Sequence, residues 1–418
     1  MARNLDVWFY DRKAGRLTQD NSGRLLFAYT PEYLGGEQRW PLSVSLPVQA
    51  TEFDDPITRP FFSGLLPDEY VREKIAKLIG VSPRNPFSLL EAVGGECAGA
   101  ISFYHEGEPS HRENPDDVVF LDEGQLDDVF EELKRRPLFV GEKDIRLSLA
   151  GAQDKLAVRM IDGKLALMRG GAPTTHILKP LIVGQERIKD SVQNELFCLL
   201  LARRCGLAAA SAEIRFTGQQ PYLLVERYDR QWQGGHVVRL HQEDFCQALS
   251  VPPENKYERE GGPSIPGCLE IIQKHSIQPV PDRLAFLNVV VFNYLIGNAD
   301  SHGKNFSFLH EKGKPRLAPA YDLLCTAVYP DLSAKMAMRI GGKYLSGQVL
   351  LRHWHQLVAD TAGAKRAMEK TLAEMAKKTV EEANFLHADL ARGGITSDIF
   401  DAIRGVIHAR SQAVLKQL

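Results

Sequence analysis

Residues 297–308 of this 418-residue chain read GNADSHGKNFSF, and this stretch decides how the rest is interpreted. It directly follows LAFLNVVVFNYLI at 284–296, the most apolar run in the sequence. That run is too short to span a membrane and contains Asn288 and Asn293, so we predict a helix buried in a protein core. A buried helix that leads into Asp, Ser, His, Lys and Asn is unusual for a plain surface loop, and loops anchored on rigid cores often carry function.

Two residues of this stretch have a spacing with chemical meaning. Asp300 and Asn305 are separated by the same interval as the Asp and Asn of the protein-kinase pattern H-R-D-x-x-x-x-N. In that pattern the carboxylate accepts the proton of the attacking hydroxyl, and the amide oxygen binds Mg²⁺. The interval is common by chance, so on spacing alone an ordinary polar loop remains the simpler interpretation.

A second carboxylate sharpens the interpretation. Asp322 stands in LAPAYDLLC, after the strand–turn–strand pattern of FSFLHEKGKPRLAP. Kinase-like folds place a metal-binding Asp after such a hairpin. An isolated Asp after Tyr is usually a turn residue, but Asp300, Asn305 and Asp322 together predict a metal–nucleotide site.

A nucleotide site also needs a cation for the phosphates, and Lys179 at the end of THILKP is the natural candidate. Glu195, in the next predicted helix, is a candidate partner for it, as in the Lys–Glu pair of protein kinases. A solvated lysine and a surface helix charge are the corresponding alternatives.

Two further segments have suitable composition. The loop SLAGAQDK at 148–155 is small enough for backbone N–H groups to approach phosphate oxygens, although it lacks the P-loop pattern. LLVERYDR at 223–230 fits a hinge strand, where backbone groups near Glu226 and Tyr228 can bind adenine. An ordinary strand end is equally consistent with the hinge segment.

Composition excludes several other classes. The apolar fraction is 44%, the charged fraction 25% and the net charge −2, which argues against coating nucleic acid or anionic membrane by bulk charge. Six scattered cysteines form no C-x-x-C pair, so a disulfide framework or zinc ribbon is disfavoured and a reducing, cytoplasmic setting is expected. We find no signal peptide, no G-x-S-x-G and no G-x-G-x-x-G after a strand.

The chain divides into three regions by pattern. Residues 1–110 form a small α+β subdomain, with a helix from Asp68 to Gly80 and a polar linker at 106–117 that closes it. Residues 118–228 form a β-rich region with the phosphate-side loop and one helix. Residues 229–418 are predicted to be mostly helical and contain the catalytic loop.

These motifs, in this order, resemble the HipA family of serine/threonine kinases, the toxins of type II toxin–antitoxin pairs. The resemblance covers most of residues 1–350 and implies an α+β, protein-kinase-like two-lobed fold with a small N-terminal α+β subdomain and an all-α C-terminal lobe. The segments that carry it are FFSGLLPD, SLAGAQDK, THILKP, NELFCLLLA, VERYDR, QEDFCQ, KYEREGGP, GNADSHGKNFS and YDLL.

The resemblance also implies residue roles. Asp300 is the catalytic base, Asn305 and Asp322 bind Mg²⁺, and Ser148 is autophosphorylated, with an exposed strand-end hydroxyl as its simpler interpretation. The implied nucleotide contacts lie in the phosphate-side loop, the neighbouring strands and the catalytic loop: Ala150, Gly151, Ala152, Gln153, Asp154, Lys155, Lys179, Glu226, Arg227, Tyr228, His302, Gly303, Lys304, Asn305 and Tyr321.

The implied cofactors are ATP and Mg²⁺. The implied partners are a dimeric helix-turn-helix antitoxin, operator DNA mainly through that antitoxin, and a protein substrate of translation such as an aminoacyl-tRNA synthetase, with no membrane involved. The first alternative is an inactive nucleotide-binding co-repressor subunit. The second is a small-molecule kinase of the aminoglycoside type, against which the N-terminal region and SLAGAQDK both argue.

Overall fold

A computed structural model describes residues 2–108, 118–141, 147–151, 153–169, 171–182 and 188–418. The chain forms two compact units. The first unit comprises Met1–Pro180, Arg215–Asn255 and Ser307–Pro315, and the second comprises Leu181–Ile214, Lys256–Phe306 and Arg316–Leu418. The sequence predicts three consecutive regions, 1–110, 118–228 and 229–418, whereas each unit combines separate segments of the chain. The three-region division stays a prediction.

The strands of the described residues are, in chain order, β1 Arg3–Phe9, β2 Arg12–Gln19, β3 Leu25–Tyr29, β4 Ile101–His105, β5 Val118–Leu121, β6 Leu156–Ile161, β7 Lys164–Met168, β8 His176–Pro180, β9 Ala212–Thr217, β10 Gln220–Glu226, β11 Arg230–Gln233, β12 His236–Arg239, β13 His241–Asp244, β14 Ser307–Glu311, β15 Lys314–Leu317, β16 Lys335–Ile340 and β17 Lys343–Leu345.

The α-helices are α1 Pro31–Gly35, α2 Asp55–Gly64, α3 Glu69–Ile79, α4 Pro86–Val93, α5 Glu123–Arg135, α6 Ser191–Arg204, α7 Phe245–Ala248, α8 Ile265–His275, α9 Pro279–Ile296, α10 Leu351–His355, α11 Ala362–Arg392 and α12 Ile399–Leu415. None of these helices is long and apolar enough to cross a membrane.

The N-terminal part of the first unit is an antiparallel sheet in the order β3-β2-β1-β4. Alternate side chains of β1 face the core, since Leu5, Val7 and Phe9 are buried. Helix α3 follows Asp68 and ends at Gly80, whose φ of 71° gives the left-handed cap expected of glycine there. Most of the predicted linker, residues 109–117, lies outside the described residues.

The rest of the first unit is built on a six-stranded sheet in the order β5-β7-β6-β8-β10-β9. Asp162 and Gly163 join β6 to β7, and both have positive φ, which is the hairpin chemistry that IDGK predicts. Strands β8 and β10 are antiparallel, with Lys179 opposite Leu223. This register places the predicted phosphate-binding lysine beside the strand that leads to the predicted hinge.

The second unit is helical at its centre. Helix α9 packs against α8, α11 and α12, and the side chains of Phe286, Phe292 and Ile296 are fully buried. The helix is apolar almost all round because it is covered on most sides. This rigid helix ends directly before the predicted catalytic loop.

The α+β class is as expected, but residues 229–418 are not all-α. They contain β11 to β17, which are short hairpins and the sheet in the order β13-β14-β15. Gly234–Gly235 and Gly341–Gly342 make two of the turns with positive φ, and runs such as HVVR and KMAMRI supply the flanking strands. Of these strands, the sequence pattern predicts only the hairpin of β14 and β15.

Candidate active site

The end of α9 sets the direction of the predicted catalytic loop. Gly297 caps the helix with a φ of 82°, and its N–H donates to the carbonyl of Asn293 and to that of Tyr294. A Cβ at this position would lie 2.8 Å from Cγ1 of Val406 and 2.9 Å from Cβ of Ala327. Only glycine meets both the conformational and the steric requirement, so the loop leaves the core at a fixed point.

The residues that follow are held by hydrogen bonds. The Asn298 amide donates to Oδ1 of Asn293 at 2.9 Å, and its own Oδ1 accepts the N–H of Asp300 at 3.0 Å. The N–H of Ala299 donates to Oγ1 of Thr326 at 2.7 Å. The backbone of the loop is thus fixed from the core side before it reaches Asp300.

Asp300 is exposed, as a group that meets a substrate must be. Its Oδ1 accepts a hydrogen bond of 2.8 Å from the hydroxyl of Tyr257. The Tyr257 ring meets the buried His302 ring edge-on, with centroids 5.3 Å apart. Tyr257 lies in the KYEREGGP segment, but no spacing or motif in the sequence indicates a role for it.

The structure brings Asn305 and Asp322 together. The Asn305 amide Nδ2 donates to Oδ2 of Asp322 at 2.9 Å, and Oδ1 of Asn305 accepts the N–H of His302 at 3.1 Å. Asp322 has a φ of 58°, a left-handed conformation that is uncommon outside glycine and concentrates at functional sites. Both side chains are half-buried, so ligand atoms can reach them.

Magnesium fits these two residues chemically. Mg²⁺ takes oxygen ligands and is usually held by one or two carboxylates together with water and substrate phosphates. Asp322 supplies a carboxylate, and the Asn305 carbonyl oxygen has a second lone pair beside the one used by His302. The described residues contain no cluster of three or more His, Cys, Asp or Glu that could hold a metal by itself, and this type of site needs none.

Other residues predicted for this loop support its shape. The hydroxyl of Tyr321 donates to the carbonyl of Lys304 at 2.7 Å, which ties the Asp322 segment to the catalytic loop. Gly303 and Lys304 are buried in the short 3-10 turn Gly303–Asn305. These contacts position the backbone around Asn305.

Asn194 is a positioning residue that the sequence analysis missed. It is fully buried on α6, and its Nδ2 donates to the carbonyl of Cys325 at 3.1 Å while its Oδ1 accepts the N–H of Cys325 at 2.8 Å. It thereby holds the chain three residues after Asp322. Its neighbour Glu195 is buried rather than a surface charge, and the predicted pairing of Glu195 with Lys179 stays a prediction.

In the first unit, Ser148 is not the exposed hydroxyl of the simpler interpretation. It is fully buried, its N–H donates to the carbonyl of Glu96 at 2.8 Å, and its Oγ donates to the carbonyl of Leu65 at 2.7 Å. The serine is therefore sealed in this conformation of the loop.

The remainder of the phosphate-side loop is tied to its surroundings. The carbonyl of Gly151 accepts the N–H of Asp68 at 3.2 Å, and Lys155 Nζ donates to the carbonyl of Ala150 at 2.5 Å. Gln153 donates to the carbonyl of Pro180 at 3.1 Å. Burial raises the pKa of the half-buried Asp154, and Lys74 and Lys155 partly oppose this. Ala152 lies outside the described residues.

The three residues of the predicted hinge differ in their exposure and in their contacts. Glu226 is exposed, and the hydroxyl of Tyr228 donates to the side chain of Gln242. The N–H of Arg227 donates to the carbonyl of Thr175 at 2.9 Å, and its buried side chain joins an ion cluster. Both backbone groups of Arg227 are thus used within the protein, since its carbonyl also accepts the N–H of Arg230 at 3.2 Å. The nucleotide contacts themselves stay predictions.

Comparison with known families gives two matches. Residues 5–104 match the family described as HipA N-terminal domain, and residues 147–383 match the HipA-like C-terminal domain. The first match begins within β1 and ends within β4, and the second includes Ser148, Lys179, the predicted catalytic loop and Asp322.

Individual proteins agree with the family matches. A putative kinase, Y4mE, of Sinorhizobium fredii is 43% identical over 402 residues, which is 93% of this chain and 95% of the relative. The serine/threonine-protein kinase toxin HipA of Shewanella oneidensis is 30% identical over 361 residues, 81% of this chain and 79% of the toxin. The chain is also similar to a solved structure of HipA from Shewanella oneidensis with HipB and operator DNA. The alignment covers 99% of this chain and 97% of the matched chain, with a TM-score of 0.83 and 25% identity.

Proposed function

The chain belongs to the HipA family of kinase toxins, and from this premise we propose that it is a protein serine/threonine kinase that uses ATP and Mg²⁺. The observation that carries the proposal is the 2.9 Å hydrogen bond between Asn305 and Asp322, on the loop that also presents Asp300. These residue types, in this chain order, are those that kinase-type phosphoryl transfer uses.

In the proposed reaction the hydroxyl oxygen of a substrate serine or threonine attacks the γ-phosphorus of ATP, and ADP leaves. Asp300 accepts the hydroxyl proton, and Tyr257 holds the Asp300 carboxylate in place. Asp322 and Asn305 would hold Mg²⁺, which would neutralise charge on the phosphates. Catalysis of this kind rests on positioning and on charge stabilisation.

Lys179 and the phosphate-side loop complete the proposed nucleotide site. In this proposal Lys179 contacts the phosphates from the end of β8, and backbone N–H groups of the phosphate-side loop bind them. We assign adenine to the backbone of residues 226–228. The exposed carboxylate of Glu226 is compatible with this arrangement.

Ser148 is the proposed site of autophosphorylation. Because its hydroxyl is buried and bonded to the carbonyl of Leu65, the loop must open before the hydroxyl can meet a phosphate donor. Phosphorylation adds close to two negative charges, which the buried position does not accommodate. The proposed modification therefore keeps the loop open and lowers activity.

The proposed partners follow the relative of known structure, which was solved with HipB and operator DNA. We propose that a dimeric helix-turn-helix antitoxin neutralises this chain in the cytoplasm and carries most of the contact with operator DNA. The proposed substrate is a protein of translation such as an aminoacyl-tRNA synthetase.

Intact mass after incubation with Mg-ATP tests the kinase proposal. We expect the wild type to gain one phosphate, mapped to Ser148, and Asp300→Asn to gain none. Ser148→Ala is the matched control, since it removes the acceptor and keeps the proposed catalytic groups. No phosphate gain by an initially unphosphorylated wild type, on itself or on added translation proteins, would contradict the proposal and favour the co-repressor alternative.

A further inference from the structure

Four charged side chains form a cluster in the interior of the first unit. Arg227 binds Asp229 with two hydrogen bonds, Nε to Oδ1 at 3.0 Å and Nη2 to Oδ2 at 2.9 Å. Arg230 contacts Oδ2 of Asp229 at 2.8 Å and Oε1 of Glu96 at 3.0 Å. All four side chains are at most 2% exposed. We call Glu96, Arg227, Asp229 and Arg230 the buried charge cluster.

The cluster joins two parts of the first unit that are far apart in sequence. Glu96 lies within the matched N-terminal domain, whereas Arg227 and Asp229 follow β10 and Arg230 begins β11, at the predicted hinge. Gly99 strengthens the connection, since its N–H donates to Oδ2 of Asp229 at 2.7 Å and its carbonyl accepts from Arg230 at 3.1 Å. Gly99 of the N-terminal domain thus binds the side chains of Asp229 and Arg230 in the hinge segment.

Glu96 also contacts the phosphate-side loop. Its backbone carbonyl accepts the N–H of Ser148 at 2.8 Å. Its side-chain Oε1 accepts the N–H and the hydroxyl of Thr174, each at 3.0 Å, in addition to the contact with Arg230. One residue therefore touches the loop through its main chain and the hinge through its carboxylate.

We propose that Glu96 is a positioning residue that couples the phosphate-side loop at Ser148 to the hinge, so that nucleotide affinity depends on the N-terminal domain. The inference rests on the proposed function, since it assigns the hinge and the loop to nucleotide binding. Glu96 touches no nucleotide in this scheme and acts through Arg227, Arg230 and Ser148.

Charge balance explains why a carboxylate is needed at this position. The cluster holds two arginines and two carboxylates, so each buried charge has a counterion. Burial raises the pKa of Glu96, but Arg227, Arg230 and Arg239 outweigh it, and the pKa lies below its ordinary value. Glu96 is therefore ionised near neutral pH, and an amide in its place leaves the arginines with one uncompensated positive charge. The segment 227–230 must then shift toward water.

The test compares ATP binding by full-length variants with a matched control. Glu96→Gln keeps the side-chain shape, and Asp6→Asn removes another buried, ion-paired carboxylate of the same domain, whose partner is Lys13 at 2.7 Å. We expect Glu96→Gln to weaken Mg-ATP binding by about tenfold and Asp6→Asn to change it by less than about twofold. The rate at saturating ATP changes little in either variant, so the effect appears in KM and not in kcat. Glu96→Asp restores most of the affinity.

Hydrogen exchange of the chain without nucleotide gives a second readout. We expect faster exchange at 147–151 and 226–230 in Glu96→Gln and unchanged exchange there in Asp6→Asn. Equal ATP affinity in Glu96→Gln and wild type, or equal weakening in both variants, overturns the proposal. A wild type that binds no ATP contradicts the proposed function instead, and the exchange comparison then still decides whether Glu96 couples the two segments. If Glu96→Gln does not fold, Thr174→Val weakens the same contacts more mildly and is measured in its place.

Discussion

The buried charge cluster of the first unit and the predicted active site of the second use the same residue types in opposite ways. In the cluster, Asp229 is sealed from water and bound by two guanidinium groups. In the predicted active site, Asp300 is exposed, and Asp322 is half-buried and has a positive φ. Their neighbours include a phenol and an amide, both neutral donors.

The difference shows what burial does to a charge. A sealed and balanced carboxylate is committed to its partners, and it specifies where two chain segments meet. An exposed or half-buried carboxylate can be reached from solvent, and its oxygen atoms can accept a proton or bind a metal ion. Charged residues in an unfamiliar chain are therefore better sorted by burial and balance than by residue type.

The largest expected effect concerns Asp322, the half-buried carboxylate of the predicted active site. Asp322→Asn keeps the bond from Asn305 and tolerates the left-handed backbone, but it removes the charge that Mg²⁺ needs. We expect phosphate incorporation to fall by about 1,000-fold, with thermal stability retained. Asp322→Ala is equally inactive, and the strained backbone lowers its unfolding free energy by about 1 kcal/mol more. An active Asp322→Asn variant would remove Asp322 from the metal site.

The next largest effect concerns Asp229, a carboxylate of the buried charge cluster. Asp229→Asn leaves two buried guanidinium groups with one carboxylate, and we expect the unfolding free energy to fall by about 3 kcal/mol or more. Urea denaturation followed by circular dichroism measures it. Asp300→Asn is the control, because an exposed carboxylate should change stability very little. Similar losses in both variants would contradict the distinction drawn here.

A smaller effect concerns pH. Burial, and then the neighbouring His310, hold the pKa of His241 well below its ordinary value. The folded state thus favours neutral His241, and its contribution is complete above the pKa of the unfolded chain and lost as pH falls below it. Between about pH 6.5 and pH 5 we expect the unfolding free energy to fall by up to about 1.4 kcal/mol per pH unit.

Asp229 responds at lower pH. Burial raises its pKa, but Arg227 and Arg230 outweigh this and hold it far below the ordinary value. Its contribution is present above the unfolded pKa of about 4 and is lost only as pH falls through the depressed value. Stability curves of wild type and His241→Gln separate the two phases. A wild-type curve that is flat between about pH 6.5 and pH 5 would contradict the assignment to His241.

The smallest expected effect concerns an ion pair at the protein surface. Asp360 and Lys365 form an ion pair of 2.5 Å, but the Asp360 side chain is 93% exposed. Exposed pairs contribute little because water and salt screen them. We expect Asp360→Ala to leave the midpoint of thermal unfolding within experimental error. A loss as large as that of Asp229→Asn would show that contact distance, and not burial, governs these pairs.

Local features of the fold could be predicted from the sequence. The helix from Asp68 to Gly80 and the hairpin at Asp162–Gly163 depend on capping and turn residues within a few positions of each other. The hairpin between Asn305 and Asp322 returns the chain, and the two side chains form a hydrogen bond, while their role as metal ligands stays a prediction.

Features that depend on distant segments could not be predicted. The sealing of Ser148 needs the carbonyl of Leu65, and the burial of Arg227 needs Glu96. Asn194 looks like any polar residue on a helix until its contacts with Cys325 are known. No spacing rule connects such pairs, since they arise only when separate elements pack together.

The sealed hydroxyl of Ser148 has a kinetic consequence. A group that is bonded inside the protein reacts only during the moments when its segment opens, so no amount of ATP makes the modification faster than the opening itself. Under the proposed function, the active lifetime of each molecule is then set by a local opening rate. A weaker contact between Ser148 and Leu65 shortens the active lifetime, and a stronger contact lengthens it. The strength of this contact therefore sets how long each molecule stays active.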